Sequence, residues 1–61
     1  MISGILWACQ FIVVNHNEDF LAEQLMRESG HSLKEFLAEQ KKTGYETRRM
    51  NAVIREAFRR Q

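Results

Sequence analysis

The sequence predicts an α+β chain, mostly helical, in which one N-terminal strand and two helices form an intertwined homodimer around an intermolecular two-stranded ribbon. Three observations predict it. Residues 2–14 are a nearly unbroken apolar run containing Trp7, Phe11, Ile12, Val13 and Val14, the β-branched and aromatic composition that strands favour. No second strand-like run follows, so the open edges of this strand require a second copy of the chain. The rest of the sequence repeats apolar residues at helical spacing, punctuated by Gly30 and Gly44.

The strand spans about 4–14. Ile5, Trp7, Cys9, Phe11 and Val13 point to one face, and Leu6, Ala8, Gln10, Ile12 and Val14 to the other. Both faces are apolar apart from Gln10, so both need cover. Asn15, His16 and Asn17 end the run with turn chemistry. The run lacks the preceding basic side chains of a signal peptide and is shorter than the ~18–20 residues of a membrane span. Cys9 reads as a small buried hydrophobe, since no basic residue lies near it in sequence to activate the thiol.

Helix A spans about 18–29. Asn17 is its candidate N-cap, Glu18 and Asp19 suit the positive end of the helix dipole, and Gly30 sits where a left-handed C-terminal cap belongs. Phe20, Leu21, Ala22, Leu25 and Met26 form its apolar stripe. Helix B spans about 32–59 and opens with Ser32-Leu33-Lys34-Glu35, a capping box. Its apolar face runs through Leu33, Phe36 and Leu37, is interrupted at 41–44, and resumes through Tyr45, Met50, Val53, Ile54, Ala57 and Phe58. A break near Gly44 is one reading. With no proline to force it, a single helix of ~40 Å is favoured, bent near Gly44. A helix that long exceeds what one small domain can cover, so its far half is expected to pack on a partner.

Size limits what such a chain can do. A domain of 61 residues draws only ~3–5 kcal/mol from a single core. Its lone cysteine excludes an internal disulfide, and Cys9 with His16 and His31 falls short of a four-ligand zinc site. Self-association is the remaining source of stability, and neither metal nor cofactor is expected. No enzyme constellation is present. His16 and His31 fall in turns, Ser3, Ser29 and Ser32 lack a nucleophile context, and Gly4, Gly30 and Gly44 make no phosphate loop. Met26, Met50, Phe20, Phe36, Tyr45 and Phe58 read mainly as core. The apolar total is nevertheless high, which leaves some of it to line a groove open to a partner helix.

Charge is steeply graded. Residues 1–16 carry none, 17–30 hold Glu18, Asp19, Glu23 and Glu28 against Arg27, and 47–61 hold Arg48, Arg49, Arg55, Arg59 and Arg60 against Glu56. Arg48, Arg55 and Arg59 share one helix face. They either solubilise an apolar dimer by snorkelling over it or meet an anionic partner, nucleic acid or an acidic protein. The expected dimer interface comprises Ile5, Trp7, Cys9, Phe11, Val13, Phe36, Leu37, Val53, Ile54 and Phe58.

The helix–Gly–cap–helix stretch from Leu21 to Ser32, behind a strand, resembles the ribbon-helix-helix transcription factors. That resemblance implies a DNA-binding regulator. The strand departs from the pattern, because Leu6, Ala8, Gln10, Ile12 and Val14 offer a single amide where several base-reading side chains are needed. DNA contact would fall instead to the C-terminal arginine-rich helix. The whole chain, from Met1-Ile2-Ser3-Gly4-Ile5-Leu6-Trp7 through Tyr45-Glu46-Thr47-Arg48-Arg49-Met50 to Arg59-Arg60-Gln61, is similar to small early accessory proteins of lambda-like temperate bacteriophages, encoded between exonuclease and excisionase. This second resemblance implies a non-enzymatic, cytoplasmic dimer in an infected bacterium. It would promote lytic development or alter host physiology through protein–protein binding.

Overall fold

The computed structural model describes residues 2–44 and 46–59, and they are helical with no strand. Four helices follow in order: α1 (Ile2–His16), α2 (Asp19–Glu28), α3 (Leu33–Thr43) and α4 (Arg48–Ala57). Neighbours run α1, α2, α4, α3 and back to α1, a closed ring of helices about one core with a radius of gyration of 10.0 Å.

The α+β fold with its intermolecular ribbon is therefore overturned. The predicted strand is helix α1, and the reason is the one that made the strand awkward. A strand without a partner leaves its backbone groups unpaired, whereas a helix satisfies them within itself. Ile2, Leu6, Cys9 and Val13 recur at helical spacing, and the last three are fully buried. Strand propensity is a weak preference that such packing overrides.

Helix A stands as α2, with a different entry. Asn17 takes a left-handed φ of 53° and ends α1, its N–H donating to the Val13 carbonyl. The N-cap of α2 is Glu18, whose side chain makes no capping bond. Gly30, at φ 86°, takes the left-handed conformation foreseen for it.

The single long helix B is also corrected. It breaks at Gly44, which caps α3 at φ 81° with its N–H bonded to the Gln40 carbonyl. Thr47 then caps α4, its hydroxyl accepting from the Met50 N–H at 3.1 Å. A left-handed glycine followed by a Thr cap stops one helix and starts the next without proline. The break folds α4 back on the core, so the far half of the predicted helix packs on its own chain. The capping box at the start of α3 forms in full. Glu35 N–H donates to Ser32 Oγ at 3.2 Å, and Ser32 N–H donates to Glu35 Oε1 at 2.8 Å.

The core gathers Leu6, Cys9 and Val13 from α1, Ala22 and Met26 from α2, Phe36 from α3, and Met50, Val53, Ile54 and Ala57 from α4. Small residues let α1 and α2 approach, and the Cys9 thiol donates to the Ala22 carbonyl at 3.6 Å. Burial pushes that thiol up to about 11. Because the thiolate is the reactive form, Cys9 is expected to react with Ellman's reagent at pH 8 roughly 100-fold or more slower in the native chain than in guanidinium. Comparable native and unfolded rates would mean that α1 detaches readily from α2.

Polar side chains tie the helices together. Gln40, fully buried, donates from Nε2 to Asn51 Oδ1 at 2.7 Å and so links α3 to α4. Arg27 Nη1 donates to the Ala57 carbonyl at 3.3 Å, clipping α2 to the end of α4. Gln10, the polar residue of the apolar run, has a buried Oε1 with no hydrogen-bond partner among the described residues.

Candidate functional site

Helix α1 is apolar on two opposite sides. Leu6, Cys9 and Val13 enter the core, while Trp7, Phe11 and Val14, spaced at i, i+4 and i+7, form a second line on the outside. Trp7 is 56% exposed and Phe11 44%. Their rings stack with centroids 5.6 Å apart, and Phe11 also meets the His16 ring at 5.5 Å. A helix that is apolar all round is normally covered all round.

Helix α2 also carries exposed apolar residues. Phe20, 71% exposed, stands out with Leu21 and Leu25, while Ala22 and Met26 hold the helix to the core. Between α1 and α2 lies an open groove of about 470 Å³ lined by Ile12, His16, Glu18, Phe20, Leu21 and Gln24. A smaller hollow along α2 is lined by Leu21, Gln24, Leu25 and Glu28. His16 lines the groove, and its ring also meets that of Phe11. The charged groups lining these hollows are Glu18 and Glu28, both carboxylates.

The predicted interface residues separate into two sets. Cys9, Val13, Phe36, Val53 and Ile54 are buried inside the chain's own core, and Ile5, Leu37 and Phe58 pack against it half-buried. Trp7 and Phe11 alone of the ten face outward. Val14, Phe20, Leu21 and Leu25 complete the exposed face and were absent from the predicted set. The i, i+4, i+7 line of Trp7, Phe11 and Val14 is the sequence signal that a helical reading of α1 would have found.

The arginines also divide. Arg48, Arg55 and Arg59 are exposed, with Arg59 beside Glu56 at 3.2 Å. Arg49 instead donates to Asn17 Oδ1 and Asp19 Oδ1, both at 2.8 Å, and ties the start of α4 to the α1–α2 junction. Arg60 lies outside the described residues. Among the described residues, no group of three or more His, Cys, Asp or Glu side chains is placed to hold a metal ion. His31 is occupied at the start of α3, its Nδ1 3.3 Å from Glu35 Oε2. The Ser32 backbone N–H, and then His31, hold the Glu35 carboxyl below its ordinary range. No helix among the described residues is long and apolar enough to cross a membrane.

Comparison with protein-family models, curated proteins and solved structures finds no match to this chain.

Proposed function

We propose that this chain is a non-enzymatic accessory protein that binds a protein partner through the exposed apolar residues of α1 and α2. One observation carries the reading: Trp7, Phe11, Val14, Phe20, Leu21 and Leu25 are all substantially exposed on adjacent helices. Small domains rarely leave this many large apolar side chains bare, and exposed apolar surface on this scale marks an interaction site. Exposed aromatic residues supply most of the energy in such contacts. The carboxylates of Glu18 in the groove and Glu28 in the smaller hollow suit a partner helix that is apolar on one side and basic at its edge. The resemblance to early proteins of lambda-like phages supports a regulator made early in infection, promoting lytic development or altering host physiology through such contacts.

The test is affinity capture from nuclease-treated lysate of an enteric bacterium, comparing the parent chain with Trp7→Asp/Phe20→Asp and with Arg48→Ala/Arg55→Ala. A specific protein is expected with the parent and the arginine variant and at least tenfold depleted with the apolar-face variant. A capture profile that the apolar-face variant leaves unchanged would sink the reading.

A further inference from the structure

The outer face of α4 is a separate surface and owes nothing to the apolar groove. We infer that α4 is a duplex-DNA-binding helix whose outer face, carrying Arg48 and Arg55 with Arg59 beyond them, lies against the phosphate backbone. Met50, Val53, Ile54 and Ala57 seat α4 on the core. This fixes which way the helix faces and turns Arg48, Ala52 and Arg55, at i, i+4 and i+7, to solvent.

Neither Arg48 nor Arg55 is engaged by a carboxylate within the described chain, while Arg49 is held by Asp19 and Arg59 makes an exposed pair with Glu56. Arg48 and Arg55 leave the same face of α4 about 10 Å apart along its axis, so both can reach phosphates along the backbone of a duplex lying against that face. Ala52, lying between them on that face, leaves no bulk to hold it away from the phosphates. Lys41 and Lys42, exposed in the last turn of α3, add cations at the end that meets α4. Residues 41–59 thus hold Lys41, Lys42, Arg48, Arg49, Arg55 and Arg59 against Glu46 and Glu56.

Two observations favour duplex over single-stranded nucleic acid. Single-strand sites interleave cations with exposed rings that stack bases. Here Phe58, the aromatic residue among the described arginines, is half-buried with its ring 5.8 Å from that of Phe36. The exposed rings, Trp7, Phe11 and Phe20, stand on α1 and α2 instead. The contact expected is with phosphates, which sets affinity and salt dependence without choosing a base sequence.

The test is fluorescence anisotropy of a dye-labelled 20-base-pair duplex of mixed sequence, titrated with the full chain at 50 and 200 mM NaCl. Binding is expected at 50 mM and is expected to weaken roughly 40-fold at 200 mM, the slope for about three phosphate contacts. Arg48→Ala/Arg55→Ala is expected to bind at least tenfold more weakly with a flatter salt slope, at unchanged helical circular dichroism. Trp7→Ala is expected to bind as the parent does. Should the alanine variant lose helicity, Arg48→Lys/Arg55→Lys is the second probe, and it is expected to keep salt-dependent binding. No anisotropy change at 50 mM with 50 µM protein overturns the inference, as does equal binding by a folded alanine variant. Tighter binding to the matching single strand, or a lysine variant that folds but does not bind, also overturns it.

Discussion

Leu6→Asp is expected to unfold the chain, whereas Phe11→Asp is expected to leave it folded. Both residues are large and apolar, and both lie on α1. Leu6 is fully buried, so an aspartate there must either bury an unpaired charge or pull α1 from the core. Either route costs several kcal/mol, against a total of ~3–5 kcal/mol for a domain of this size. Phe11 stands 44% exposed on the outer line, and its carboxylate replacement reaches water. The loss there is confined to the ring contacts with Trp7 and His16 and to helix propensity, together about 1 kcal/mol. Far-ultraviolet circular dichroism with thermal melts separates the two outcomes. A strand-based fold reverses part of the prediction, since alternation puts Phe11 inside with Cys9 and Val13. Unfolding by Phe11→Asp together with tolerance of Leu6→Asp would therefore reject helix α1.

That contrast also explains how far the fold was legible in the sequence. Some local signatures were read correctly, whereas Asn17, expected to cap α2, ends α1 instead. The Ser32–Glu35 capping box announces α3 because both of its bonds are made within four residues. The arginine face of α4 follows from spacing alone, because the opposite face carries Met50, Val53, Ile54 and Ala57 and the helix has one clear orientation. Helix α1 has no such contrast. It is apolar on its inner and outer sides, so alternation and helical periodicity fit equally well, and its β-branched residues tip the balance to a strand. The break at Gly44 was open to either reading, because glycine permits a stop without requiring one. What decides it is a second capping residue, Thr47, whose hydroxyl holds the Met50 N–H without a Glu at the third position to complete a capping box.

Parts of the candidate site were beyond any local pattern. The removal of Arg49 from the free arginines depends on Asn17 and Asp19, which only the packing of α4 against the α1–α2 junction brings within 2.8 Å. The apolar groove likewise depends on how α1 and α2 meet. The sequence showed an excess of apolar residues, and the fold decides which of them are left outside. Phe36, Val53 and Ile54 are absorbed by the core because α4 returns to its own chain, and Trp7 and Phe20 are stranded because nothing in this ring of four helices covers them.

Phe36→Ala is expected to abolish the fold and, with it, binding on both faces. Phe36 is the largest fully buried side chain among the described residues and the main apolar contribution of α3 to the core. Its ring meets Phe58 at 5.8 Å and the edge of His31 at 6.0 Å, so it joins the α2–α3 turn, α3 and the segment after α4. Truncation to Ala in a packed core costs ~3–5 kcal/mol, the whole of the stability available here. Phe36→Leu keeps most of the volume and is expected to cost about 1–2 kcal/mol, lowering the melting temperature while leaving the native spectrum intact. The pair is checked by thermal melts and by the dispersion of amide resonances. The arginines of α4 and the apolar residues of α1 and α2 act at the surface, but their orientations are set from beneath by this ring and its neighbours. Loss of DNA binding and partner capture in Phe36→Ala, with both retained in Phe36→Leu, is therefore expected to track the folded fraction. A folded Phe36→Ala chain would show that α3 contributes little to holding the other three helices in place.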